Sequence, residues 1–261
     1  MRDVITPILL TYNEMPNLRR TLAKLGWAVR ILVIDSGSTD ETIETLNCYD
    51  RVKTIYHPFT TLAAQWNFAL SQVQTSWTLS LDADYELSDS LVDEILALDP
   101  AEDVVGYAAR FIYRIYGRAL RGSLYPERTV LFRAAKAQFV MDGHAQRLVI
   151  NGNTLPLSGR IFHDDRKPLS RWLASQRRYA REEAEHLLAC PREKLSQADR
   201  LRLMAWPAPI AVFFYVLLVK RCILDGWPGW FYVLQRVVAE ILLALELIQH
   251  RLNPSSCPPD K

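Results

Sequence analysis

Short apolar runs alternate with polar, turn-forming stretches through the first hundred residues, and strand-like and helix-like periods take turns. Residues 7–11 form the first run, which closes in Tyr12, Asn13 and Glu14, the pattern of a buried strand ending in a loop. The spacing predicts a helix over 17–25, with Asn17 as N-cap and Gly26 as stop. Residues 31–34 are all Leu, Ile or Val, the composition of a strand covered on both faces, as in a parallel sheet. Asp35 closes that strand, and Ser38 or Thr39 is placed to cap a helix over 40–46. A third strand at 52–56, a helix at 61–72 and a fourth strand at 77–81 follow. This alternation predicts an α/β fold, a three-layer sandwich with a mostly parallel central sheet.

Residues 101–160 should complete the sheet and form the acceptor side, with strands over 106–117 and 125–133. Past residue 165 the pattern changes. A helix is expected over 170–188, with Ser170 as its cap. Residues 210–219 are ten consecutive apolar positions ended by Lys220 and Arg221, where crossing a bilayer takes about twenty. Residues 225–232 are rich in Trp, Gly and Pro and read as a turn, and 237–248 is an apolar run interrupted by Glu240 and Glu246. The expected organisation is one domain over 1–165, a helical lobe over 166–252 and a disordered tail over 253–261.

Charge sharpens that division. The chain of 261 residues carries a net +2, but residues 1–159 sum to −3 and residues 160–261 to +5. A basic lobe with Trp, Tyr and short apolar helices fits a membrane interface, and a soluble helical hairpin is the alternative. Four widely spaced cysteines, Cys48, Cys190, Cys222 and Cys257, form no zinc-like cluster and indicate a reducing compartment. The start, Met1 to Pro7, lacks the apolar stretch of a signal peptide. The expected location is cytoplasmic, peripheral at the inner face of a bacterial cytoplasmic membrane, with no nucleic-acid partner.

Candidate chemistry gathers at the predicted strand ends. Asp82 and Asp84 stand two apart where the fourth strand closes, so both carboxylates face one way. Hard divalent ions such as Mg²⁺ or Mn²⁺ accept carboxylate oxygens and keep open positions for phosphate oxygens. Glu14 and Asp35 fall at the same edge, where open α/β sheets bind ligands.

Four segments, Thr11-Tyr12-Asn13-Glu14, 33–40 around Asp35, Gln65-x-Asn67 and Leu81-Asp82-Ala83-Asp84, stand in the order of the family 2 glycosyltransferases. The chain resembles that family over its first hundred residues, and most closely the branch containing lipopolysaccharide-core β-glucosyltransferases. The resemblance implies a GT-A fold and inverting transfer from a nucleotide-sugar, with a UDP-sugar the expected donor and Mn²⁺ or Mg²⁺ as cofactor. It implies a lipid-linked or lipopolysaccharide-type acceptor. By position, Thr11, Tyr12 and Glu14 would line the nucleoside pocket and Asp35 would meet base or ribose. Asp82 would contact ribose or metal-bound water and Asp84 the metal, while Gln65 and Asn67 would bridge the nucleotide pocket. His163 is the further metal candidate, and Arg166 and Lys167 would neutralise the departing diphosphate.

For the catalytic base, Asp142 is the first candidate and His144 the second. The branch reads His-Glu about here, whereas this chain reads His144-Ala145-Gln146, and a tight turn at Asp142-Gly143 is the plain alternative. Two other functions remain open on sequence grounds. A nucleotidyltransferase would normally show a Gly-rich phosphate loop after the first strand, which Thr11–Glu14 is not. A membrane-bound, non-catalytic partner protein would keep the fold without the base.

Overall fold

The computed structural model describes residues 1–142 and 145–253. Strands β1 (Ile5–Thr11), β2 (Ile31–Asp35), β3 (Val52–Tyr56) and β4 (Trp77–Asp82) run parallel, and helices α1 (Met15–Ala23), α2 (Thr42–Leu46) and α3 (Leu62–Ser71) connect them. Then come β5 (Tyr85–Leu87), α4 (Asp89–Ala97), β6 (Val104–Ile115), β7 (Arg118–Ala119), β8 (Arg128–Arg133), β9 (Ala137–Asp142), β10 (Ala145–Ile150) and β11 (Asn153–His163). The main sheet has the order β3-β2-β1-β4-β8-β6-β11-β5, with β7 beside β6. Only β8, β5 and β7 are antiparallel to their neighbours in it, so β11 ends at the same edge as β1, β2 and β4. Strands β9 and β10 form a separate antiparallel hairpin.

Successive strand residues serve opposite faces. Leu9, Val33, Leu79 and Leu81 pack with Leu18 and Leu22 of α1 and Leu91 and Ile95 of α4. Ile8, Leu32 and Ile34 pack with Ala63, Trp66 and Ala69 of α3 on the other side. That double covering is why these strands read as unbroken apolar runs, and the predicted three-layer sandwich is what forms.

Register places the chemistry. Thr11 lies opposite Asp35 and Leu10 opposite Asp82, so the central strands end flush and their polar closing residues share one edge.

Element ends differ from the sequence reading where side chains have distant partners. Helix α1 starts at Met15 with Pro16 in its first turn, and Asn17 is not its cap but a buried residue inside it. Helix α2 starts at Thr42, whose backbone N–H donates to Asp40 at 3.1 Å, while Ser38 turns toward Asp35. Helix α3 is capped by Thr61, and α4, which the sequence reading passed over, by Ser88.

The second unit comprises Leu120–Leu124 and the chain from Pro168 onward, so Arg166 and Lys167 belong to the first. It contains α5 (Leu169–Ala189), α6 (Gln197–Leu203), α7 (Pro207–Phe214) and α8 (Gly226–Leu252). Helix α5 begins one residue before Ser170 and has no side-chain cap, which corrects the capping role expected of Ser170. A π-helical turn, Tyr215–Val219, prolongs α7, and a 3-10 turn, Cys222–Asp225, precedes α8. The stretch 225–232, expected as a turn, opens α8 instead. Pro228 falls in the first turn, where no intrahelical N–H bond is required, and a Cβ on Gly229 would stand 1.9 Å from the Cys222 carbonyl oxygen. Ala180, Ala184 and Leu187 of α5 pack on Leu243 and Leu247 of α8. Among the described residues no single helix is long and apolar enough to cross a membrane. The tail expected over 253–261 lies outside the described residues beyond Asn253.

Candidate functional site

The turn after β4 is clamped from two sides. Thr21 of α1 donates its hydroxyl to the Ala83 carbonyl at 2.7 Å, and the Asp164 backbone N–H donates to the Asp84 carbonyl at 3.2 Å. The two aspartates are therefore held by elements distant in sequence. His163, at the end of β11, brings Nε2 to 3.1 Å from Asp84 Oδ2. Its ring lies among Tyr85, Tyr113 and Tyr125, with centroids 4.6 to 5.3 Å away.

Environment splits the two carboxyls. Burial raises the Asp82 pKa, and the Asp84 charge adds to the rise. Burial pushes Asp84 up as well, but the His163 ring outweighs it and holds Asp84 down to about 2. His163 responds in kind: burial lowers its pKa, and Asp84 more than reverses that. At neutral pH Asp84 is thus held as an anion. Its Oδ1 is buried without a hydrogen-bond partner among the described residues, as is His163 Nδ1.

No three His, Cys, Asp or Glu side chains converge among the described residues as a ready cation cage. The donor set nevertheless suits a hard divalent cation whose shell is finished by substrate. Such an ion commonly takes one or two carboxylates plus phosphates, and Asp84 Oδ1 is an oxygen without a hydrogen-bond partner among the described residues.

A second cluster lies beside this turn. Lys167 Nζ meets Glu14 Oε1 at 2.5 Å and Asp165 at 3.9 Å. Asn17 Nδ2 donates to Glu14 and to Asp165, each at 3.1 Å. Burial lifts the Glu14 pKa to about 7 despite the Lys167 charge, which works against the rise. Arg166 donates to buried Asp164 through Nε at 3.0 Å and Nη2 at 2.8 Å, and Arg20 reaches the same carboxylate at 3.1 Å. Both candidates for the diphosphate, Arg166 and Lys167, thus pair with carboxylates in the protein.

Asp35 is saturated. Its carboxylate accepts from Thr11 Oγ1, the Gly37 and Ser38 N–H groups and Ser38 Oγ, all within 2.6 to 2.8 Å. Gly37 has φ +94°, a conformation open to glycine, and its N–H and that of Ser38 both reach Asp35 Oδ1. Gln65 donates to Ser36 Oγ at 2.6 Å and to the His57 carbonyl at 3.0 Å. Asn67 exchanges two bonds with the Phe139 backbone, at 2.8 and 2.9 Å. Gln65 therefore braces the ends of β2 and β3 and Asn67 holds β9, whereas Tyr12 stands exposed. His144 lies outside the described residues, and so does the side chain of Asp142, whose backbone ends β9.

A cavity of about 340 Å³ opens against Asp82, between β4, β8, α3 and the β9–β10 hairpin. Its walls include Trp66, Tyr85, Arg128, Phe139, Gln146 and Arg147. The Trp66 indole N–H is buried without a partner among the described residues, and Arg128 lies over the Tyr125 ring at 4.7 Å.

Sequence reasoning passed over Asn17, Arg20, Asp164 and Trp66. The polar run from His163 to Lys167 was the available signal for Asp164, while Trp66 reads as core in any helix.

The profile of the family described as glycosyl transferase family 2 matches residues 6–154. The lipopolysaccharide core biosynthesis glycosyltransferase LpsC of Rhizobium meliloti (strain 1021) is 31% identical over 122 residues. That match spans 43% of this chain and 44% of LpsC, less than half of either. An uncharacterized glycosyltransferase of Rickettsia bellii (strain RML369-C) is 23% identical over 244 residues, 87% of this chain and 80% of that protein. Among solved structures, S. aureus TarS 1–349 in complex with UDP-GlcNAc has a TM-score of 0.48 at 15% identity, covering 95% of this chain and 92% of that one. The glucosyl-3-phosphoglycerate synthase from Mycobacterium tuberculosis with Mn²⁺, UDP and phosphoglyceric acid gives 0.46 at 15% identity, covering 72% of this chain and 80% of that one.

Proposed function

The chain belongs to glycosyl transferase family 2, and from that membership we propose that it moves a sugar, with inversion and with a divalent cation, from a UDP-sugar to a lipid-linked or lipopolysaccharide-type acceptor. The observation that carries the reading is Asp84, held as an anion by His163, with one oxygen unpartnered among the described residues, two positions along the chain from Asp82, which lines the cavity.

Asp84 would hold Mg²⁺ or Mn²⁺, with His163 and Asp82 adjoining it. That ion supplies neutralising charge to the diphosphate as it leaves. The chain's own residues do the remaining work. Asp35 fixes the loop after β2 and Glu14 is held by Lys167 and Asn17, which leaves exposed Tyr12 to meet the nucleoside. Trp66 and Arg128 offer donors to the sugar or to the accepting group in the cavity. Inversion requires a base on the opposite face of the sugar. Asp142 and His144 are the candidates: Asp142 closes β9, whose partner strand β10 lines that cavity, and His144 follows it by two positions in the sequence. The name of the LpsC relative supports a lipopolysaccharide-type acceptor, and the basic second half of the chain supports a place at the inner face of the cytoplasmic membrane.

The test is UDP release from several UDP-sugars, with Mn²⁺, Mg²⁺ or a chelator, followed by the anomeric configuration of the product. Metal-dependent release and an inverted product support the reading. Chelator-insensitive release, retention, or no UDP-sugar binding by calorimetry would overturn it.

A further inference from the structure

The helices of the second unit leave an apolar surface uncovered. Trp206, Ile210, Phe214 and Leu218 are all exposed and recur every fourth residue along α7 and its π-helical turn. Along α8, Trp227, Leu234, Ile241 and Ile248 recur every seventh residue and are exposed too, with Trp227 at 86%. Leu245 and Leu252 fill in the same stripe. One exposed leucine needs no explanation, but two continuous stripes on adjoining helices mark a docking face.

Charge selects the occupant. Of the acidic groups at and along α8, Asp225 pairs with Arg121 at 3.2 Å and Glu240 with Arg202 at 2.8 Å inside the unit, which leaves half-buried Glu246 as the one acid following a stripe residue, Leu245, among the described residues. Basic groups stand at the break between the helices, where Arg221 is exposed and Lys220 lies 5.6 Å over the Tyr215 ring. Arg221 has φ 59°, a left-handed conformation that costs a side-chain-bearing residue about 1 kcal/mol or more. A cation held in a position that suits glycine argues that the charge itself is used there.

We propose that α7, its π-helical turn and α8 form a face that docks in the plane of an anionic lipid bilayer surface. The apolar stripes enter the boundary between headgroups and acyl chains, and Lys220 and Arg221 meet lipid phosphates. Insertion through the bilayer is disfavoured on two counts. The two apolar helical segments are bent by 65°, and the bend carries Lys220 and Arg221, which a re-entrant loop would drag into hydrocarbon. This deepens the functional reading by naming the surface at which a lipid-linked acceptor is met, and it rests on that reading there alone.

Flotation of the purified full-length chain with vesicles tests it, using phosphatidylcholine alone or with about one-third phosphatidylglycerol. The expected result is flotation with the anionic vesicles that weakens at least tenfold between about 0.05 and about 0.5 M salt. The triple variant Phe214→Ser/Trp227→Ser/Leu245→Ser should lose at least tenfold in vesicle affinity, and Lys220→Gln/Arg221→Gln should lose the preference for anionic lipid. Circular dichroism and UDP binding of both variants should match the parent, which separates this outcome from failure of the transferase reading. Four results overturn the proposal, the first three being no flotation of the parent, undiminished flotation of the triple variant, and a parent dimer that the triple variant dissociates. Resistance of a membrane-bound pool to alkaline carbonate also overturns it, since that marks insertion.

Discussion

Asp84 and Asp35 are both carboxylates at strand ends, yet they call for opposite predictions. Asp84 keeps an oxygen without a partner and is ionised by its His163 neighbour. Asp84→Asn should therefore cut UDP release by on the order of 100-fold or more while unfolding midpoints change little; equal loss of both would mean a structural role. Asp35 has four donors and little exposure. Asp35→Ala should cost roughly 2–4 kcal/mol in urea unfolding because it strands buried donors. Glu14 adds a pH signature. Burial raises its pKa from 4.5 to about 7, so between those values the folded state holds a proton that the unfolded chain has released. Stability from this group is complete below about pH 4.5 and falls as pH rises through 7, by on the order of 3 kcal/mol. Glu14→Gln should flatten that fall in urea titrations between pH 4 and 8, and parallel curves for parent and variant would refute it. Sequence alone exposed all three acids, because strand ends and short motifs are local. It could not reveal that Asp35 is saturated or that Asn17 serves Glu14 and Asp165, since Asp165 comes from a strand end 148 residues away.

Elements were legible where hydrophobic period alone decides them, and their ends were not. The parallel strands β1 to β4 follow from apolar runs that both sheet faces bury. The start of α1 was misplaced because a buried, tertiary-bonded Asn17 looks like a cap in one dimension. The opening of α8 was read as a turn for a related reason: Gly229 is required by the closeness of Cys222 rather than by chain reversal. Trp66 belongs to the same class. Its ring stacks on Phe139 at a centroid distance of 5.3 Å, while its N–H stays without a partner at the cavity beside Asp82. Trp66→Phe preserves the packing and deletes one donor. A roughly fivefold rise in KM for donor or acceptor is expected, equivalent to about 1 kcal/mol, with the melting temperature nearly unchanged. An unaltered KM with a lowered melting temperature would make the residue pure core.

At the scale of the whole chain, two compact units have separate cores, one around the sheet and one between α5 and α8. The second unit has a charged link of its own. Arg202 grips Glu240 with Nε at 3.1 and 3.2 Å from its two oxygens and Nη2 at 2.8 Å, and Glu240 is 7% exposed. Attraction and desolvation nearly offset each other in such a pair, so its presence adds little net stability. Losing Glu240 is different, because the guanidinium then keeps only Asp199 at 3.4 Å and Glu183 at 4.0 Å and forfeits its bonds to the most buried of its partners, at about 2–3 kcal/mol. Glu240→Gln should accordingly loosen the helical unit in particular. Amide hydrogen exchange is the measurement that resolves it, since local opening reports the stability of each cooperative region. Exchange in α5 and α8 should accelerate on the order of 100-fold, with β1, β2 and β4 close to their parent rates. Uniform acceleration across sheet and helices would show instead that the chain opens as one cooperative body, and the two cores would then have to be treated as a single folding unit.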